Sequence, residues 1–143
     1  SREDAPFFRW ADIEPTTERG LILREDGDRT PNPPQDLMER TAQFGEAIIR
    51  FAKKIPTTPV NSRLISQLVG AATSIAANYC EADDSVSTRD FKKSIGTCRK
   101  ESKETMLFLR MVAAAEDSLK EEARTLWREA RELNRIFGAI WRK

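Results

Sequence analysis

Gln67-Leu68-Val69-Gly70-Ala71-Ala72-Thr73-Ser74-Ile75-Ala76-Ala77-Asn78-Tyr79-Cys80-Glu81-Ala82 reads as one helix whose surface is mostly Gly, Ala and Ser, so neighbouring elements can approach it closely. Leu64, Leu68, Ile75 and Tyr79 hold an apolar face. Gln67, Ser74, Asn78 and Glu81 recur at seven, four and three residues along another face. A helix with one dry face and one ordered polar face sits in the middle of a fold, and the polar stripe is expected to order a core or a subunit contact.

Working outward, the same alternation of four and three recurs on both sides. Leu37, Thr41, Phe44, Ile48, Phe51 and Ile55 lay a stripe along a first helix that Pro56 and Pro59 end. The second helix is expected to start near Asn61 or Ser62, with the stripe Leu64, Leu68, Ala71, Ile75, Asn78, Ala82, and to stop between Asp83 and Val86. Asp83-Asp84 at that end reads as a turn. Ser87 and Asp90 resemble a capping pair for a third helix, striped by Phe91, Ile95, Cys98, Ser102, Thr105, Leu109 and Val112 and reaching about Ala115. Ser118 with Glu121 forms a capping box for a fourth, striped by Leu119, Ala123, Leu126, Ala130, Leu133, Phe137 and Ile140. Four helices on short connections bury their stripes together as an all-α, antiparallel up-down-up-down four-helix bundle.

Residues 1–35 break this pattern. They hold five of the seven prolines and no sustained helical period, and read as an irregular Pro-rich arm preceding the bundle at 36–143. Phe7, Phe8, Trp10 and Leu21-Ile22-Leu23 give the arm apolar groups that can dock on a neighbour, and Glu25-Asp26-Gly27-Asp28 reads as a turn. The arm and the bundle differ in charge. Residues 1–34 carry five Lys or Arg against eight Asp or Glu, net −3, and residues 35–143 carry nineteen against fifteen, net +4. That surplus permits an anionic partner without demanding one.

At 143 residues the chain can bury a full core, roughly 68–70% of the surface it exposes unfolded. No apolar run approaches the ~20 residues of a membrane span, and no secretory leader is legible. Cys80 and Cys98 lack a CxxC spacing and fit reduced structural thiols, which points to the cytoplasm.

The residue inventory removes most chemistry. There is no histidine, hence no usual general base, triad partner or favoured zinc ligand. No Gly-rich phosphate loop or dinucleotide fingerprint occurs. A carboxylate-only metal site from Glu46, Glu81, Glu101 and Glu104 stays open beside the plainer reading that these acids pair with Lys and Arg. The expectation is a chain that is not an enzyme and holds no cofactor.

Two surfaces remain. Arg124, Arg128, Arg131, Arg135 and Arg142 line the side of the fourth helix away from its apolar stripe, and Lys92, Arg99, Lys103 and Arg110 fall on one flank of the third. Arginine suits phosphate and carboxylate recognition, which makes these cations candidates for binding nucleic acid. The plainer alternative is a solvated surface laced with local pairs such as Glu121 to Arg124 and Arg128 to Glu132. Trp127 and Trp141, with Asn134 midway between them, form a second edge of the fourth helix, and Glu101, Glu104, Phe108 and Met111 fall on the other flank of the third. Phe108, Met111, Trp127 and Trp141, with Gln67, Ser74, Asn78 and Glu81, are the candidate oligomer or partner contacts. A broad core using adjoining positions is the alternative.

Asp36-Leu37, Arg40-Thr41 and Phe44, the run Gln67 to Ala82, Phe91, and Lys100-Glu101-Ser102-Lys103-Glu104-Thr105 with Phe108-Leu109 together resemble the four-helix-bundle family of 23S rRNA intervening-sequence proteins, which includes accessory variability determinant proteins of diversity-generating retroelements. The resemblance covers residues 36–143. It implies a homopentamer with a central channel, a basic surface, and binding of RNA or RNA-DNA hybrid without catalysis, in support of a reverse transcriptase. The chain departs from the family pattern at Gly70, where Arg is common, and at Phe108, where Trp is frequent, so a charge network at the second helix does not carry over. The competing expectation is a protein-interaction adaptor using the Trp127 and Trp141 edge or the arm, with no nucleic acid.

Overall fold

The computed structural model describes Trp10 and residues 36–143. The readings of Phe7, Phe8, Leu21 to Leu23, the Glu25 to Asp28 turn and the rest of the arm lie outside the described residues. Among the described residues the fold is four α-helices: α1 (Asp36–Ala52), α2 (Pro59–Asp83), α3 (Thr88–Ala115) and α4 (Lys120–Arg142), with a 3-10 turn, Asp117–Leu119, ahead of α4. None is long and apolar enough to cross a membrane.

Cross-helix contacts fix the antiparallel order. The Cys80 sulfur near the end of α2 lies 3.5 Å from Met38 at the start of α1. The Cys98 thiol of α3 donates to the Ile75 carbonyl of α2 at 3.6 Å, and Asn134 of α4 donates to the Ser102 hydroxyl of α3 at 3.1 Å. Helices α1 and α4 close the bundle more loosely than the other neighbours. Ion pairs bridge them: Arg40 to Glu129 at 2.8 Å, and Lys54, just past α1, to Glu122 at 2.9 Å.

The core is built from the expected stripes. Leu37, Thr41, Phe44, Ile48, Phe51 and Ile55 are all buried, as are Ile95, Cys98, Ser102, Thr105, Leu109 and Val112 on α3. Ala123, Leu126, Ala130, Leu133 and Phe137 supply α4. Phe137 meets Tyr79 across the bundle with ring centroids 6.2 Å apart. On α2 the expected Leu68, Ala71, Ile75, Tyr79 and Ala82 are buried together with Ala72, whereas Leu64 and Asn78 are half-buried. Asn78 donates its side-chain amide to the Ser74 carbonyl one turn back at 2.8 Å. Hydroxyls on the buried stripes are satisfied the same way, Thr41 to the Leu37 carbonyl at 2.7 Å and Thr105 to that of Glu101 at 2.8 Å.

Two helix starts differ from the sequence reading. Helix α2 begins at Pro59, with Thr58 as its N-cap accepting from the Asn61 backbone N–H at 3.0 Å. Proline at the first helical position has no N–H to orphan and a suitable φ, so Pro59 opens this helix, whereas α1 has already ended at Ala52. Asn61 is instead buried, donating to the Pro56 carbonyl and the Glu116 carboxylate, both at 2.9 Å. Ser118 does not cap α4, because the 3-10 turn takes it out of register and Leu119 stands in the N-cap position with no side-chain cap bond. The Ser87 cap of α3 is as expected, accepting from the Asp90 N–H at 3.0 Å.

Candidate nucleic-acid interface

The seam between α3 and α4 gathers the basic side chains. Lys92, Arg99, Lys103 and Arg110, spaced seven, four and seven, stand exposed along one flank of α3. No carboxylate pairs with any of them among the described residues. The facing edge of α4 is the one carrying Asn134 and Trp141. Asn134 donates its side-chain amide to the Arg99 carbonyl at 2.9 Å as well as to Ser102, which pins the register of the two helices at mid-seam.

Trp141 lies across the seam at its end. A Cβ at Gly96 would come within 3.1 Å of the indole Nε1, so the missing side chain lets the ring settle against the α3 backbone. Lys92 places its Nζ 5.5 Å from the ring centroid and Arg99 its Cζ 5.2 Å away. The indole stays 39% exposed. Two cations and one aromatic ring thus share one end of the bundle, with no carboxylate paired to them among the described residues. Sequence reading separated Trp141 from Lys92 and Arg99 and missed Gly96, although a glycine inside a long helix, four residues after Lys92, is a signal of close approach.

The arginines of α4 do not form one uniform ridge. Arg124, its side chain only 16% exposed, pairs with Glu121, as the plainer reading expected. Arg128 is half-buried, and its Nε has no hydrogen-bond partner among the described residues. Its expected partner Glu132 lies instead 3.7 Å from Arg135, which is exposed. Arg131 stacks on Trp127, Cζ to centroid 4.8 Å, and Trp10 packs on the same indole at 5.4 Å. Burial, and after it the nearby charge of Arg135, lowers the pKa of the Arg131 guanidinium. Trp127 is left 6% exposed, so this half of the aromatic edge is already filled from within the chain.

The other flank, between α2 and α3, is polar and then apolar. Gln67, Ser74 and Asn78 are half-buried and Glu81 is exposed. Phe108 is half-buried, with Leu107 and Met111 exposed beside it. Burial, reinforced by Glu104 and opposed by Lys100, raises the Glu101 carboxyl above its usual range. Gly70 faces open space: a Cβ there meets nothing within 4 Å. No group of three Cys, Asp or Glu side chains that could hold a metal ion occurs among the described residues.

A family model described as 23S rRNA-intervening sequence protein matches residues 35–139. The chain belongs to that family. A solved structure from Bacteroides thetaiotaomicron, described as a protein of unknown function from the S23 ribosomal protein family, superposes with a TM-score of 0.67. It is 23% identical and covers 76% of this chain and 97% of its own, a likeness that speaks for the shared fold. No curated protein sequence matches the chain. The intervening-sequence match leaves out the acidic arm, residues 1–34, and the last four residues, 140–143, which include Trp141.

Proposed function

We propose that this intervening-sequence family protein is a non-enzymatic scaffold that assembles as a homo-oligomer and binds RNA or RNA-DNA hybrid along the α3–α4 seam, as an accessory to a retroelement reverse transcriptase. The observation that carries this reading is the row Lys92, Arg99, Lys103 and Arg110, four exposed cations with no carboxylate paired to them among the described residues. Like charges held on one flank repel each other, and a polyanion relieves that repulsion while releasing its own counterions. Repetition of the row around an oligomer turns a modest surplus per subunit into a strong combined field. The family description, which names an intervening sequence of 23S rRNA, favours RNA among polyanions. An adaptor docking on the Trp127 and Trp141 edge finds less support, because Trp10 and Arg131 already cover Trp127.

The test is RNA binding measured against salt, with Lys103→Glu and Arg110→Glu combined. Both side chains are exposed and make no ion pair, so the variant should keep the helicity and solution mass of the parent. Affinity is expected to fall at least tenfold at moderate salt. Unchanged affinity and an unchanged salt slope would remove the seam from the mechanism.

A further inference from the structure

We propose that the indole of Trp141, framed by Lys92 and Arg99, is a stacking platform for an unpaired base, and that it makes the seam selective for single-stranded nucleic acid. The inference rests on the nucleic-acid reading above and adds to it a residue, a contact and a preference between strand states. Three observations point to it. The ring is 39% exposed while the other tryptophan of α4, Trp127, is 6% exposed, so of these two indoles Trp141 is the one that offers a surface to a visitor. Gly96 sets the ring against the α3 backbone, with a Cβ-equivalent distance of 3.1 Å to Nε1, which positions the platform at the end of the seam. Lys92 and Arg99 each reach within about 5.5 Å of the ring centre, with no acidic partner among the described residues, so the platform is bordered by positive charge.

Those are the two parts a single strand requires: a flat π surface for the base and cations for the phosphates either side of it. Lys92, on a flexible four-carbon stem, swings off the ring to meet a phosphate while a base takes its place over the indole. Arg99, whose Cζ lies 5.2 Å from the ring centroid, supplies a second cation beside the stacked pair. A duplex keeps its bases stacked on one another and presents no free π face, so it gains only the charge contacts. The shared chemistry is base and phosphate, open to RNA and DNA strands alike.

The test compares Trp141→Ala and Trp141→Phe with the parent in binding poly(rU), poly(dT) and a duplex RNA of equal length. Base stacking on an aromatic is worth about 1–3 kcal/mol, which corresponds to a loss of about 5- to 150-fold on truncation to Ala. The expected result is a loss of that size for single strands with Trp141→Ala, under twofold for the duplex, and substantial retention with Trp141→Phe. Tryptophan emission should be quenched by the strand in the parent and not in Trp141→Phe. A loss for one sugar type alone identifies which strand the platform serves. Equal loss for strand and duplex, or no loss for either strand, overturns the platform while leaving the cationic seam standing. Binding of no nucleic acid by the parent overturns both readings. To separate stacking from folding, Lys92→Ala with Arg99→Ala leaves the indole in place: it should flatten the salt dependence yet preserve quenching, and loss of quenching at saturating strand would count against the platform.

Discussion

Arg40 meets Glu129 with two guanidinium nitrogens, at 2.8 and 2.9 Å, and the carboxylate is only 4% exposed. Such a forked contact recovers part of the desolvation of both groups, but a single truncation strands the other partner. Arg40→Ala is therefore expected to cost about 3 kcal/mol in urea denaturation, and the joint change Arg40→Met with Glu129→Leu to recover most of it. A second residue-scale effect belongs to Cys98. Burial pushes its thiol from 9.0 up to about 12, outweighing its backbone hydrogen bond and reinforced by Glu101. The folded chain therefore holds this proton where the unfolded chain has lost it, so stability falls with rising pH between roughly 9 and 12, at most about 1.4 kcal/mol per pH unit. Melts of the parent and of Cys98→Ala from pH 8 to 11 check the sign: the parent must lose stability more steeply. Tyr79, whose phenol is raised by burial, then by Asp83 and by Cys98 itself, titrates in both, and losing the Cys98 contribution in Cys98→Ala acts in the same direction.

At the scale of elements, helix starts separate what local sequence determines from what packing decides. Thr58 caps α2 through its side chain, so Thr58→Ala should lower stability by about 1 kcal/mol. Ser118 makes no cap bond, and Ser118→Ala should stay within about 0.5 kcal/mol of the parent. Ser118 with Glu121 reads as a capping box, but the 3-10 turn before α4 decided otherwise, and the Thr58 cap lies ahead of the Asn61 or Ser62 start that the sequence suggested. The helical stripes were legible because burial of one face imposes a 3.6-residue period on the sequence itself, and Phe44, Ile48 and Phe51 carry that period plainly. The seam was legible only in part. Lys92 and Arg99 could be placed on one flank of α3, but the indole between them comes from the last turn of α4, and no local pattern records which edge of α4 turns toward α3. The division of the α4 arginines was hidden for the same reason, since Trp10 and Trp127 lie far apart in the chain. Gly70 offers a cleaner check on α2: with open space at its Cβ position, Gly70→Ala should stabilise the chain by about 0.5–1 kcal/mol through helix propensity alone.

At the scale of the whole molecule, the charge of the chain is divided between two regions of opposite sign: +4 over residues 35–143 and −3 over residues 1–34. Trp10, the described residue of the acidic region, packs on the Trp127 indole that also carries Arg131, so Arg131 is engaged within the chain, whereas the α3 row pairs with no carboxylate among the described residues. Salt dependence distinguishes the two sets. Each cation that meets a phosphate of a single strand contributes about 0.7 to the slope of log K against log salt. Replacing Lys103 and Arg110 by Ala should flatten that slope by up to about 1.4 for every subunit engaged. Replacing Arg124 and Arg131, with Glu121 and Trp127 already on them, should change it little. Because the slope counts engaged subunits, a flattening well beyond 1.4 requires several copies to act on one strand, and light scattering on the same samples must then return a mass that is a multiple of 16.3 kDa. A flattening confined to 1.4 on a single 16.3 kDa species would instead assign the binding to one bundle acting alone.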